Sequence, residues 1–108
     1  MKAENTFTII YSFKIKSGNK DAFIESWAAY TRFIYEYEGS FGSRLHQLDA
    51  TNFIAYAQWP DKETYNNSGN NMPEAAKKVG QQMRDCCEEI KSLYQMQVVK
   101  DLLKGKPF

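Results

Sequence analysis

The chain has 108 residues, 14 Lys and Arg against 13 Asp and Glu for a formal charge of +1, and 15% aromatic residues. That length suits one domain, residues 1–108, with a core able to fold without disulfides or metals. The even charge balance gives nucleic acid or an anionic membrane no electrostatic hold, and the longest apolar-rich run, "FTIIYSF", is far too short to span a bilayer.

Seven Tyr and seven Phe point to a thick core, an interface or a pocket for a flat ligand. The opening "MKAENT" is polar, with no apolar stretch of a secretory signal behind it. The two cysteines, Cys86 and Cys87, are adjacent. On a helix they diverge by about 100°, and with His46 they make too small a set to hold zinc. A soluble, cytoplasmic, reduced protein is expected, with one thiol in the core and one on the surface.

Residues 6–16 alternate, with Phe7, Ile9, Tyr11, Phe13 and Ile15 on one face, which predicts a strand. "SGN" breaks it. Phe23, Trp27, Tyr30, Ile34 and Tyr37 then recur at spacings of 4, 3, 4 and 3, predicting an amphipathic helix over 20–38 that "EGSFG" ends. Strands over 41–49 and 53–59 form a hairpin around 50–52, and Pro60 stops the second. Asp61 caps a short helix, 61–66, and the polar "NNSGNNMP" follows as a loop suited to be a lid. Ala76, Val79, Met83, Cys86 and Ile90 keep the 3–4 spacing, which predicts a helix over 74–89. A last strand is expected over 93–103, where Tyr94, Met96 and Val98 alternate with Gln95 and Gln97.

The order is β-α-β-β-α-β, an α+β fold in which two helices cover one face of a four-stranded antiparallel sheet. Ile10, Leu48, Ile54 and Tyr56 fall on the other face. That face needs a cover, and a second copy packing sheet on sheet supplies one, so a homodimer is expected.

"YSFKIKSG" leading into a helix, "EGSFGSRLH" and above all "IAYAQWPDKETY" resemble the antibiotic biosynthesis monooxygenase (ABM) family. The resemblance covers nearly the whole chain and implies a ferredoxin-like dimer, a dimeric α+β barrel. It also implies one of two chemistries. In the first, a flat, electron-rich aromatic or polyketide-like molecule loses a proton and reduces O2 without a cofactor. In the second, haem is degraded on a helix His, with Trp and Asn shaping the pocket. Trp59 matches the family tryptophan and Asn5 is a loose counterpart of the asparagine, but the second long helix has no His, so haem is disfavoured and no cofactor is expected. For the first chemistry the resemblance points to Trp59 and Tyr65, with Arg84 as a cation. Position 55, where a polar amide is implied, is Ala.

The residues themselves add candidates. His46 has the only side chain with an ordinary pKa near neutrality and is the natural general base; period 2 puts it beside Arg44, off the Ser43–Leu45 face. Trp59 shares a face with Phe53, Ala55 and Ala57, and two alanines beside an indole leave room for a ligand or for a closely packed helix. His46, Trp59 and Tyr65 are thus the catalytic candidates, and Trp27, Arg44, Tyr56 and Arg84 the substrate-binding ones. An RNA-recognition module shares the element order, but "FIAYAQW" lacks its glycine-aromatic signature. The serious rival is a non-catalytic dimer of the same fold that binds a small aromatic molecule.

Overall fold

The computed structural model describes residues 6–104. In chain order the elements are β1 (Phe7–Ile15), α1 (Lys20–Tyr37), β2 (Gly42–Gln47), β3 (Asn52–Trp59), α2 (Lys62–Asn66), α3 (Glu74–Asp85) and β4 (Cys87–Gln97). The strands form one antiparallel sheet in the order β2-β3-β1-β4, the ferredoxin-like α+β arrangement.

Alternation on the central strands decides which face the helices cover. Phe7, Ile9, Phe13 and Ile15 of β1 and Phe53, Ala55, Ala57 and Trp59 of β3 are all buried. Phe23 of α1, fully enclosed, sits at the centre. Its ring lies 5.1 Å from that of Phe13 and 5.3 Å from that of Phe53, tilted in both cases, which suits the aromatic quadrupole. Met83 brings α3 onto the same cluster. The apolar stripe of α1 stops short of its expected end. Tyr37 is exposed and lies against Phe33 of its own helix.

The turn chemistry follows the residue types. At the β2–β3 hairpin the Asp49 carboxylate accepts from the backbone N–H groups of Thr51 and Asn52 and from the Asn52 amide. The bond from the Thr51 backbone, followed by that from the Asn52 side chain, holds Asp49 below the usual carboxylate range. Asp61 caps α2, its Oδ1 accepting from Thr64 N at 2.7 Å.

The C-terminal third departs from its expected boundaries. The helix expected over 74–89 ends at Asp85, and the strand expected over 93–103 runs from Cys87 to Gln97. The cause is pairing with β1. Lys16 N donates to Cys86 O at 2.8 Å and Cys87 lies opposite Ile15, so the chain must become extended as soon as it leaves α3. Ile90, which continues the helical spacing, instead pairs with Phe13 on the sheet.

Register shifts between Ile10 and Tyr11 and between Lys14 and Ile15 also break the alternation of β4. As a result Tyr94 and Met96 pair with Ile10 and Thr8 on the outer face and are exposed, so Met96 is not the core filler its type suggests. Both cysteines are buried free thiols, not one inside and one outside. Burial pushes the Cys87 thiol up to about 11, with adjacent Cys86 adding to the effect and Lys16 opposing it. No described helix is long and apolar enough to cross a membrane.

Candidate functional site

Helix-facing positions on β3 run Phe53, Ala55, Ala57, Trp59. Where the two alanines sit, the sheet recedes from the helices, and a cavity of about 480 Å³ opens between them. That volume is within the usual range for small-molecule sites, about 300–1,000 Å³. Tyr11 and Phe13 of β1 and Ser43 of β2 complete its floor, and Trp27, Tyr30, Thr31 and Ile34 of α1 form one wall. Met83 and Ile90 line it at the α3–β4 side. Tyr65 and Asn66 of α2 and Ser68, Gly69 and Met72 of the following loop line the remaining side.

Trp59 is 4% exposed and meets Tyr65 edge to face, with ring centroids 5.5 Å apart; Tyr65 in turn lies 5.6 Å from Phe7. The Tyr11 hydroxyl sits in the same wall. Burial, then a side-chain hydrogen bond with Tyr65, then the nearby Tyr65 and Tyr30 phenols push its pKa well above the ordinary tyrosine value. Tyr11 is therefore a protonated hydrogen-bond donor at any physiological pH.

Three cavity hydroxyls are already committed. Ser40 Oγ donates to Gln58 O, Ser43 Oγ to Tyr56 O and Ser68 Oγ to Tyr65 O. Glu38 is different. It is 7% exposed, closes the C-terminus of α1 with its backbone N–H on Ile34 O, and lines the cavity. Its Oε2 accepts from Asn71 N at 3.0 Å and its Oε1 from Asn71 Nδ2 at 3.2 Å. The loop expected as a lid is thereby tied to the end of α1.

Of the residues singled out from sequence, Trp27, Trp59 and Tyr65 come together here. His46, Arg44 and Tyr56 do not. His46 pairs with Ile54, and Arg44 with Tyr56, on the opposite face of the sheet. His46 and Arg44 are exposed. His46 lines only a second groove of about 390 Å³ beside Ile24 and Ala28 at the β2 edge. Arg84 is exposed on α3, donates to Gln81 Oε1 at 3.4 Å, and is not part of the cavity wall. Asn5 lies outside the described residues. Sequence reasoning missed Tyr11 and Tyr30 as site residues because each reads as core at its period, and it missed Glu38 because a glutamate closing a helix reads as surface.

With no imidazole in its wall, the cavity does not fit a haem iron held by His. Among the described residues no group of three or more His, Cys, Asp or Glu is arranged to hold a metal ion.

The sequence profile described as antibiotic biosynthesis monooxygenase matches residues 6–84. No curated protein matches by sequence. Among solved structures, an asparagine-to-alanine variant of SnoaB from Streptomyces nogalater, described as a cofactor-independent oxygenase, superposes with a TM-score of 0.73 at 13% identity, covering 93% of this chain and 99% of that one. PA3566 from Pseudomonas aeruginosa gives 0.69 at 18% identity, over 93% of this chain and 100% of that one. A conserved protein from Methanosarcina mazei gives 0.72 at 10% identity, over 89% and 95%. At such identities the likeness shows the fold alone.

Gly80 of α3 bears on the cavity's shape. A Cβ there would stand 2.7 Å from Tyr30 Cε1. The Tyr30 ring is the mobile end of its side chain and would have to swing from α3. Gly80→Ala is expected to change unfolding free energy by no more than about 1 kcal/mol, because helix propensity offsets the crowding. It is expected to weaken binding of a bicyclic aromatic by about tenfold as Tyr30 intrudes on the cavity. Urea unfolding and calorimetric titration of 2-naphthol check the two halves separately.

Proposed function

We propose that this chain, which belongs to the antibiotic biosynthesis monooxygenase family, is a cofactor-independent monooxygenase of a flat, electron-rich aromatic or polyketide-like small molecule. The observation that carries this reading is the apolar cavity walled by Trp59, Tyr65, Trp27 and Tyr30 over the Ala55–Ala57 floor. A slot of that make-up takes a planar ring system and sheds its water. SnoaB, a cofactor-independent oxygenase, shares this fold, which supports the same chemistry here.

The reaction needs little from the protein beyond orientation and a hydrogen-bond donor. Loss of a proton from an activated C–H to solvent water leaves a carbanion, delocalised over the ring system and its oxygen, that passes electrons to O2, and the proton is recovered in the water formed. For a ring CH2 the balance is CH2 + O2 → C=O + H2O, with the substrate supplying the electrons, one oxygen atom retained and the other leaving as water. The hydrogen-bonded Tyr11–Tyr65 pair keeps one O–H free, and that hydroxyl donates to the oxygen on which negative charge gathers. His46 and Arg44 lie on the far face of the sheet and take no part in this cavity.

One observation favours the rival reading of a binding dimer without catalysis. Ala55 stands where the family pattern implies a polar amide, so the floor offers no side-chain donor at that point. Oxygen uptake with an anthrone and with 1,8-dihydroxynaphthalene separates the two. The oxygenase reading expects uptake above the spontaneous rate, lowered about tenfold or more in Trp59→Phe and Tyr11→Phe and unchanged in His46→Ala. Tight binding with uptake no faster than the spontaneous rate would make it a carrier. Loss of uptake in His46→Ala would move the chemistry to the outer face.

The homodimer belongs to the same proposal. Arg44, Tyr56, Ile10 and Tyr94 form one row across the four strands on the face away from the helices, with Ile54 beside it. Such a face is suited to packing on a second copy, and the cytoplasm is the compartment in which its free thiols would persist. Sedimentation equilibrium is expected to give a dimer for the wild type and a folded monomer for Ile54→Glu with Tyr56→Glu. A wild-type monomer at micromolar concentration would overturn the sheet-to-sheet pairing.

A further inference from the structure

We propose that Glu38 is the orienting acceptor of the cavity: its carboxyl group takes a hydrogen bond from a hydroxyl on the bound aromatic and turns away ligands that carry a carboxylate. This rests on the cavity being the ligand site, as argued above. Glu38 is the only acidic side chain in the cavity wall, and no Lys, Arg or His joins it among the described residues. A ligand anion would meet a buried acidic group with no cation in the described wall to offset the repulsion.

The hydrogen-bond inventory points the same way. A carboxylate offers about four lone-pair sites. Asn71 occupies one on each oxygen, through its backbone N–H and its amide, which leaves capacity on both. The serine hydroxyls of the wall are spent on backbone carbonyls. Of the other polar groups in the wall, the hydrogen-bonded Tyr11–Tyr65 pair keeps one O–H free to donate, Tyr30, Thr31 and Asn66 add further polar atoms, and Glu38 is the one carboxyl acceptor among the described residues. The ligand that satisfies both ends is an uncharged aromatic with an acceptor oxygen on one side and an O–H on the other. Asn71 is a positioning residue in this scheme, since it holds the carboxyl group and ties the 67–73 loop to it.

Calorimetric titration with naphthalene, 2-naphthol and 2-naphthoate tests the proposal, with circular dichroism to verify that each variant is folded. Wild type is expected to bind 2-naphthol about tenfold tighter than naphthalene, and 2-naphthoate about tenfold weaker than 2-naphthol or worse. Glu38→Gln is expected to shrink both ratios to about threefold or less, while Glu38→Asp, which keeps the charge, still excludes 2-naphthoate. Equal affinities for the three compounds in the wild type, or unchanged ratios in Glu38→Gln, would overturn the role of Glu38 and leave the cavity as the ligand site. Failure of all three, naphthalene included, would remove the cavity reading and this inference together.

Discussion

The structure turns on two small side chains in the middle of a sheet. β3 must present an apolar face to the helices, and it does so with Phe53 and Trp59 at the ends and Ala55 and Ala57 between them. Phe53 packs on Phe23 of α1 and Trp59 on Tyr65 of α2, and the alanines between them line the open volume. Protein interiors are ordinarily packed near crystal density, and an unfilled volume costs stability in proportion to its size. The volume of about 480 Å³ here opens to solvent, so it is a cleft and not an internal void, and its aromatic and apolar walls give it the make-up of a small-molecule site.

Around that volume the polar groups are sorted by function. Serines that face inward are tied to backbone carbonyls and add no charge, whereas Tyr11 is paired with Tyr65 and Glu38 with Asn71. Each pair joins two elements: β1 to α2 in the first case, the end of α1 to the loop before α3 in the second. The same bonds that close the cavity also set which atoms of a ligand can be recognised inside it. The fold is common to proteins only 10–18% identical to this one, so function here is decided by these side chains and not by the architecture.

Much of this was legible in the chain itself. The alternation of Phe7 to Ile15 and the spacing of Phe23, Trp27, Tyr30 and Ile34 named a strand and a helix within a residue or so of their ends. An indole flanked at period 2 by alanines announced a possible cavity, and Trp27, Trp59 and Tyr65 line it. The end of α3 was not legible. Cys86 and Ile90 extend its apolar spacing perfectly well, and only the long-range demand of β1 for a partner opposite Ile15 ends the helix at Asp85. The bulges of β4 are likewise invisible to a period-2 pattern, so Tyr94 and Met96 emerged on the outer face. His46 and Arg44 were rightly placed together and off the Ser43–Leu45 face, but local sequence does not say which face the helices cover. Glu38 was missed for a related reason: its carboxylate is bound by Asn71, 33 positions away.

Everything proposed for this protein requires that the space between the sheet and the helices receive the ligand. A crystal structure of the protein with bound 2-naphthol tests it most directly. The bicyclic ring is expected over Ala55 and Ala57, between Trp59 and Tyr30, with its hydroxyl toward Glu38. Density for the ligand on the outer sheet face beside His46 and Arg44, with the inner volume closed by rearranged side chains, would contradict it.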